Sequence, residues 1–326
     1  MKKFFVLLAT NSVKAYQYLA PENLDIKKGM IVKVPFRSRE LFGVVWDESD
    51  EKLEESKLKK IIEHYPQFIF SERKIKFIKF LSNYNYSNLG RALKLFIPQP
   101  YLLEKKKQNF KYEFNSKNYE KVKKTDSRNK IQEVFIGNKS LSKKEIVDQA
   151  GVSQSVIRDL IKKKCLVPTP FAQELNINLN NTSKVNLNNY QKKAKNKIIK
   201  SIKENIYNCF LIDGVTGSGK TEVYFEAVEE SLRDGKQSLI LLPEISLTTD
   251  LFKRIEKRFG FKPVMWHSNL SKGKRKEIWQ DIFNGKSKLV IGARSSLFLP
   301  FKNLGLIIVD EEHDITYKQQ EGIIYH

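Results

Sequence analysis

Apolar and polar positions follow one rhythm in the first third of the chain and another in the last. Phe4–Leu8 is a short apolar run, and Met30-Ile31-Val32-Lys33-Val34 alternates as a half-buried strand does. Pro35 is expected to end that strand, Arg37-Ser38-Arg39 to turn, and Leu41–Trp46 to return. From Glu72 to Tyr86 the period becomes helical, with Ile75, Phe77, Ile78, Phe80 and Leu81 as its apolar positions. Asn83-Tyr84-Asn85-Tyr86 closes this helix, and Leu93–Ile97 stops at Pro98. Residues 1–100 therefore read as a small β-rich module followed by helices.

The last third reads differently. Leu187-Asn188-Asn189-Tyr190-Gln191 precedes an amphipathic helix reaching Glu204. Buried strands are expected at Cys209–Ile212, Leu239–Leu242, Val264–Trp266, Leu289–Ile291 and Leu306–Val309. Helical stretches lie between most of them, at Glu222–Val228, Leu247–Phe259 and Lys274–Phe283. Strand and helix in alternation predict a parallel sheet with helices on both faces. Ligands then bind at the carboxyl ends of the strands.

Between these regions the pattern predicts a helix-turn-helix over 131–172. Ile131–Ile136 opens it, Ser142 caps Lys143–Ala150 with Glu145 three residues on, and Gly151 turns the chain. Ser153 caps a second helix whose Val156, Ile157, Leu160 and Ile161 face inward, and Leu166-Val167-Pro168 leads into a wing. Contact with DNA and packing between domains are both open roles for such a fold. Residues 101–130 show no clear period. Lys105-Lys106-Lys107, Lys111, Lys117, Lys121, Lys123 and Lys124 mix with Tyr and Asn there, which reads as a basic linker, with one embedded strand as an option, solvated or tracking a phosphate backbone.

Composition sharpens this picture. The chain has 326 residues, 40% of them apolar, which suits two or three domains with real cores. It carries 59 basic and 37 acidic residues, a formal charge of +22, which points to a polyanionic partner. Abundant Lys, Asn and Ile inflate that surplus, so charge supports a nucleic-acid reading without carrying it. Two cysteines, Cys165 and Cys209, form no Cys-x-x-Cys pair, so neither a zinc site nor a disulfide framework is expected within these residues, and a reducing cytoplasm is. The apolar start is too short for a usual signal peptide and reads as a first strand. No apolar run approaches a membrane span.

One stretch carries chemistry outright. Gly214-Val215-Thr216-Gly217-Ser218-Gly219-Lys220-Thr221 fits the P-loop pattern between a strand and a helix. Its glycines let backbone N–H groups face phosphate oxygens at a helix N-terminus. Lys220 is expected to reach the β- and γ-phosphates of ATP, and the Thr221 hydroxyl to hold Mg²⁺. Asp310-Glu311-Glu312-His313 directly follows the strand Leu306–Val309. An Asp there can share the Mg²⁺ with Thr221, and Glu311 can orient or deprotonate the attacking water. The candidate catalytic residues are Glu311, Lys220 and Asp310. Arg37 and Arg39 sit at a turn where ligands are often met, although solvated arginines of an ordinary loop fit the spacing equally.

The quartet Asp-Glu-x-His resembles the DEAH signature of superfamily 2 helicases. Leu242-Pro243-Glu244-Ile245-Ser246-Leu247-Thr248 resembles their motif Ia, and Ile291-Gly292-Ala293-Arg294-Ser295-Ser296-Leu297-Phe298 the block that follows. Together with Gly214–Glu222 and Val309–His313, this set resembles the PriA family of bacterial replication-restart helicases. Gly29–Val45 is similar to that family's 3′-DNA-end-binding domain, and 131–172 to its winged helix. The resemblance implies a multidomain α/β protein: a 3′-end-binding-like domain at 1–100, the linker 101–130, a winged helix at 131–172, and one RecA-like lobe with a parallel sheet at 185–326.

The resemblance also implies roles. Gln191 would read adenine, His313 would couple nucleotide state to the DNA face, and Tyr317 to Tyr325 would form an aromatic-rich loop sensing single-stranded DNA. Gln17, Arg37, Arg39, Ser246, Thr248, Arg294, Tyr317 and Lys318 are the implied DNA contacts. ATP and Mg²⁺ are the implied cofactors; forked or single-stranded DNA, primosome proteins and single-strand-binding protein are the implied partners, with no membrane. The family's aromatic-Asp-Tyr triplet is here Tyr16-Gln17-Tyr18, which bears on recognition of a 3′-hydroxyl. The second motor lobe, its arginine finger and the zinc module of the family lie outside these residues. The expectation is thus an N-terminal portion of a 3′-to-5′ helicase, poor in turnover alone. Its alternatives are a fork-DNA-binding module with an inactive ATPase half, and another superfamily 2 motor such as a restriction translocase, against which the N-terminal module and winged helix argue.

Overall fold

The computed structural model describes residues 2–22, 24–49, 54–103, 110–138, 140–170, 185–243, 249–319 and 324–326. It divides into two units, one of Met1–Glu104 with Asn176–His326 and one of Lys105–Leu175.

In the larger unit the alternating segments pair into an antiparallel sheet. Its strands are β1 (Lys3–Leu8), β2 (Tyr16–Leu19), β3 (Met30–Phe36), β4 (Arg39–Glu48) and β5 (Glu63–Ile69), in the order β2-β1-β4-β3-β5. β2 and β5 add to the expected strands; their mixed burial leaves little periodic signal. Pro35 does not end β3, whose register with β4 runs on to Phe36↔Arg39. β5 pairs only with Met30–Lys33. Pro35 lies past that pairing, where β3 is an edge and a missing N–H is tolerated.

Helices α1 (Glu72–Tyr84), α2 (Leu89–Phe96) and α3 (Pro100–Leu103) follow. Ser71 starts α1 by accepting the Lys74 N–H at 3.3 Å. Leu7, Ile31 and Val44 of the sheet bury against Ile75, Ile78 and Leu81 of α1 and Leu93 of α2. This core continues into the parallel sheet of the same unit. The Phe68 ring meets Trp279 at 5.1 Å and Phe283 at 4.6 Å.

The second unit contains β6 (Phe110–Phe114), α4 (Ser116–Tyr119), α5 (Asp126–Val134), β7 (Leu141–Ser142), α6 (Lys143–Ala150), α7 (Gln154–Lys162) and β8 (Leu166–Pro170). Its sheet has the order β7-β6-β8. The stretch read as a linker therefore holds β6, α4 and the start of α5, with Tyr112 and Tyr119 buried. β6 answers to the embedded strand that is one option for this stretch; few apolar residues, widely spaced among lysines, carry too little period to reveal the helices. The capping box of α6 forms as expected: Ser142 accepts the Glu145 N–H at 3.2 Å, and Glu145 accepts the Ser142 N–H at 2.7 Å. Ser153 precedes α7 without a side-chain cap bond; its hydroxyl lies 2.7 Å from that of Ser155.

The rest of the larger unit contains α8 (Asn189–Lys203), α9 (Lys220–Arg233), β9 (Gln237–Leu241), α10 (Thr249–Phe259), β10 (Val264–Trp266), α11 (Lys272–Phe283), β11 (Leu289–Gly292) and β12 (Leu304–Val309). The strands are parallel, in the order β10-β11-β9-β12. β9 and β11 are buried throughout, which is why they read as unbroken apolar runs. β12 is an edge, with Ile307 45% and Val309 47% exposed. The strand expected at Cys209–Ile212 is not in the ladder. Cys209, Phe210 and Leu211 are exposed, and only Ile212 packs, in the clusters that include Leu306. An apolar run specifies that a segment can be buried; its partner in a parallel sheet is set by distant residues. Among the described residues, no helix is long and apolar enough to cross a membrane.

Candidate nucleotide site

The loop Gly214–Thr221 leads into α9. Gly217 and Gly219 have φ of 79° and 82°, conformations glycine adopts without strain. A Cβ on Gly219 would lie 2.5 Å from the Gln191 amide nitrogen, so the glycine also makes room for a neighbour. That amide donates to the Ser218 carbonyl at 2.8 Å, and its oxygen accepts the Asn188 N–H at 2.8 Å. Gln191 thus both caps α8 and ties it to the loop. The Lys220 ammonium folds back to donate to the carbonyls of Gly214 and, at 3.4 Å, Val215.

α9 is held firmly. Glu226 pairs with Lys195 of α8 at 3.1 Å and with Arg258 of α10. Glu229 pairs with Arg258 at 3.0 Å and Arg233 at 2.7 Å. Arg258 is 3% exposed, so its pairs with Glu226 and Glu229 are largely dry, and losing a partner leaves buried charge. Val223 and Ala227 pack on Ile198 and Ile202 of α8, while Phe225, Val228 and Leu232 pack toward Ile240 of β9 and Phe259 of α10.

Asp310 follows β12 and faces this helix. Its backbone N–H donates to the Leu241 carbonyl at 3.1 Å, extending the register of β12 on β9. One carboxylate oxygen accepts the Tyr224 hydroxyl at 3.0 Å, and the other accepts the Glu311 N–H at 3.1 Å. The Thr221 side chain lies beside the same Tyr224 hydroxyl. The Thr221 hydroxyl and the Asp310 carboxylate therefore converge on a single oxygen. Two hard oxygen donors so placed suit Mg²⁺, which takes a hydroxyl or carboxylate from the protein and the rest from phosphates and water. Glu311 sits at φ 50°, an uncommon conformation for a residue other than glycine, and its exposed carboxylate lies 3.6 Å from His313. From sequence, Tyr224 falls only within the expected helical stretch Glu222–Val228, with no role at the site. The available signal was a phenol one helical turn after the P-loop threonine.

Comparison with known proteins bears on the same residues. The DEAD/DEAH box helicase family matches residues 188–326, and the PriA 3′DNA-binding domain (3′BD) matches residues 5–98. The replication restart protein PriA of Rickettsia felis is 36% identical over 322 residues, which is 98% of this chain and 39% of that protein. The chain belongs to the PriA family. PriA of Haemophilus influenzae is 32% identical over 100% of this chain and 46% of its own length. That of Bacillus subtilis is 38% identical over 56% of this chain and 23% of its own. The chain thus spans less than half the length of these curated relatives. Among solved structures, the Sulfolobus solfataricus SWI2/SNF2 ATPase core in complex with dsDNA matches at 11% identity and a TM-score of 0.24, too distant to bear on the fold.

The positions that PriA resemblance assigns to DNA are scattered over the larger unit. Gln17 lies on β2 and donates to the Ser49 hydroxyl at 2.6 Å. Arg37 occupies the β3–β4 turn at φ 53°, its guanidinium 5.6 Å from the Phe36 ring, and Arg39 is exposed at the start of β4. Ser246 and Thr248 lie outside the described residues. Arg294 donates to the carbonyls of Thr316, at 2.9 Å, and Lys318, and so clasps the loop after β12. Tyr317 is buried and donates to the Asp310 carbonyl at 2.6 Å. Burial, then the Asp310 charge, push its hydroxyl pKa well above the phenol value, so it stays a neutral donor. Lys318 is exposed beside it.

Proposed function

We propose that this chain carries the DNA-docking and nucleotide-binding part of an ATP-dependent 3′-to-5′ DNA helicase of replication restart. The observation that carries this reading is the convergence of Thr221 and Asp310 beside the P-loop. ATP binds with its phosphates in Gly214–Thr221, and Lys220 exchanges its loop carbonyls for the β- and γ-phosphates. Bound Mg²⁺, held by Thr221 and Asp310, supplies charge neutralisation at the phosphates. Glu311 orients or deprotonates the attacking water, Gln191 turns from Ser218 to the adenine edge, and His313 relays nucleotide state toward DNA. Gln17, Arg37 and Arg39 meet a DNA end, and the unit Lys105–Leu175 is a winged helix. Arg294, Tyr317, Lys318, Ser246 and Thr248 order the strand path on a RecA-like lobe. Other primosome proteins and single-strand-binding protein are the partners.

ATPase activity of this chain, measured with and without single-stranded DNA, tests the reading. Nucleotide binding with weak, DNA-stimulated turnover is expected; absence of nucleotide binding overturns it. A second reading, a fork-binding module whose ATPase half is inactive alone, is favoured by one observation. The segment Cys209–Ile212, which feeds the P-loop, lies outside the sheet ladder and leaves the loop braced mainly through α9 and Gln191. Fork binding without any turnover would select it.

A further inference from the structure

Tyr224 is 3% exposed, and its hydroxyl sits between two side chains of the nucleotide site. Thr221 and Tyr224 are three residues apart on α9, so they share one face of the helix. Asp310 is 86 positions from Tyr224 and reaches it only through the pairing of β12 with β9. The phenol donates to the carboxylate, and the Thr221 side chain lies beside the same hydroxyl.

Ring packing alone does not explain this. A phenylalanine would fill the same space beside Phe225, whose ring lies 5.2 Å away edge-on. What the hydroxyl adds is a fixed rotamer for Asp310 and a fixed orientation for Thr221. Partners of this kind, one bond removed from a metal ligand, set the geometry that the ion meets.

We propose that Tyr224 is a positioning residue for the cation–nucleotide site, presetting Thr221 and Asp310 as a convergent pair before Mg²⁺ and phosphate arrive. The inference rests on the nucleotide reading above. It deepens that reading by assigning to this chain a residue that neither the P-loop nor the Asp-Glu-x-His pattern contains.

The test is a Mg²⁺ titration of binding of a fluorescent ADP analogue (the N-methylanthraniloyl derivative) to the full chain, wild type against Tyr224→Phe. The Mg²⁺ concentration for half-maximal binding should rise about tenfold in Tyr224→Phe. Affinity in EDTA should stay within about twofold, since the loop side chain beside the phenol is Thr221, whose hydroxyl is assigned to Mg²⁺, while Lys220 and the loop N–H groups that meet phosphate are untouched. In an Asp310→Ala background, the shift caused by Tyr224→Phe should shrink to the part carried by Thr221 alone, because the carboxylate it positions is gone. An unchanged Mg²⁺ titration overturns the inference while leaving the nucleotide reading intact. Equal losses with Mg²⁺ and with EDTA, or a full effect in the Asp310→Ala background, assign Tyr224 to packing alone and also overturn it. A wild-type chain that fails to bind the analogue overturns both.

Discussion

In the antiparallel sheet, β3 and β4 pair from Ile31↔Val44 to Phe36↔Arg39 across a short turn. In the parallel sheet, β9 ends at Leu241 and finds a neighbour in β12, which begins only at Leu304. The first pairing is specified by adjacent residues, and proline at an edge does not interrupt it. The second waits on a crossover and on the packing of helices over both faces. The result is visible in burial. β3 is buried over most of its length, whereas β12 alternates between exposed and half-buried positions. Yet the chemistry of the candidate site hangs on the less protected sheet, because Asp310 and the loop that follows it are carried at the end of β12.

Four measurements would break or sharpen this contrast. The largest effect is expected at Lys220. Lys220→Ala removes the charge that meets phosphate and should weaken nucleotide binding by at least about 100-fold, on the order of 3 kcal/mol. Binding of a fluorescent forked duplex should change by less than about twofold. Loss of both would mean that the two sheets do not act separately.

Trp279→Ala comes next. The ring stacks on Phe283 at 5.9 Å and meets Phe68 of β5, so it belongs to the core common to both sheets. Its loss should cost about 3–5 kcal/mol. Urea unfolding should remain a single transition at lower midpoint; two separated transitions would show that each sheet keeps a core of its own.

Asp159→Asn is a control in the second unit. The Lys163 ammonium, and then Arg128 at 2.6 Å, hold the Asp159 carboxyl below its ordinary pKa. A lowered native pKa adds stability that is present above the unfolded value of about 3.9 and lost as pH falls through the native one. The pair is partly solvated, so at neutral pH the wild type should exceed the variant by at most about 1 kcal/mol. Thermal melts should converge once pH falls below the lowered native value. Nucleotide binding should not move.

Ile307→Lys should have the smallest effect. A charge on the exposed side of an edge strand should alter stability by no more than about 0.5 kcal/mol while lowering self-association in light scattering. A loss well above 1 kcal/mol would mean that β12 is covered in solution, and the contrast between the sheets would fail.

The sequence by itself determined what depends on near neighbours. The P-loop, the strand-then-Asp-Glu-x-His order, the capping box of Ser142 with Glu145 and the β3–β4 turn could all be read there, because spacing along the chain fixes which groups meet. Weakly periodic segments are legible only in part: a strand is one option in the basic stretch that holds Tyr112, but the helix that buries Tyr119 folds on too few apolar residues to show. Only the tertiary structure decided that Cys209–Ile212 stays out of the ladder, that Arg294 clasps carbonyls and that Tyr317 is buried. It also decided that Tyr224 stands between Thr221 and Asp310. Each depends on which distant strand or helix arrives alongside, and residue type says only that a side chain can make a bond, not which partner the packing will bring.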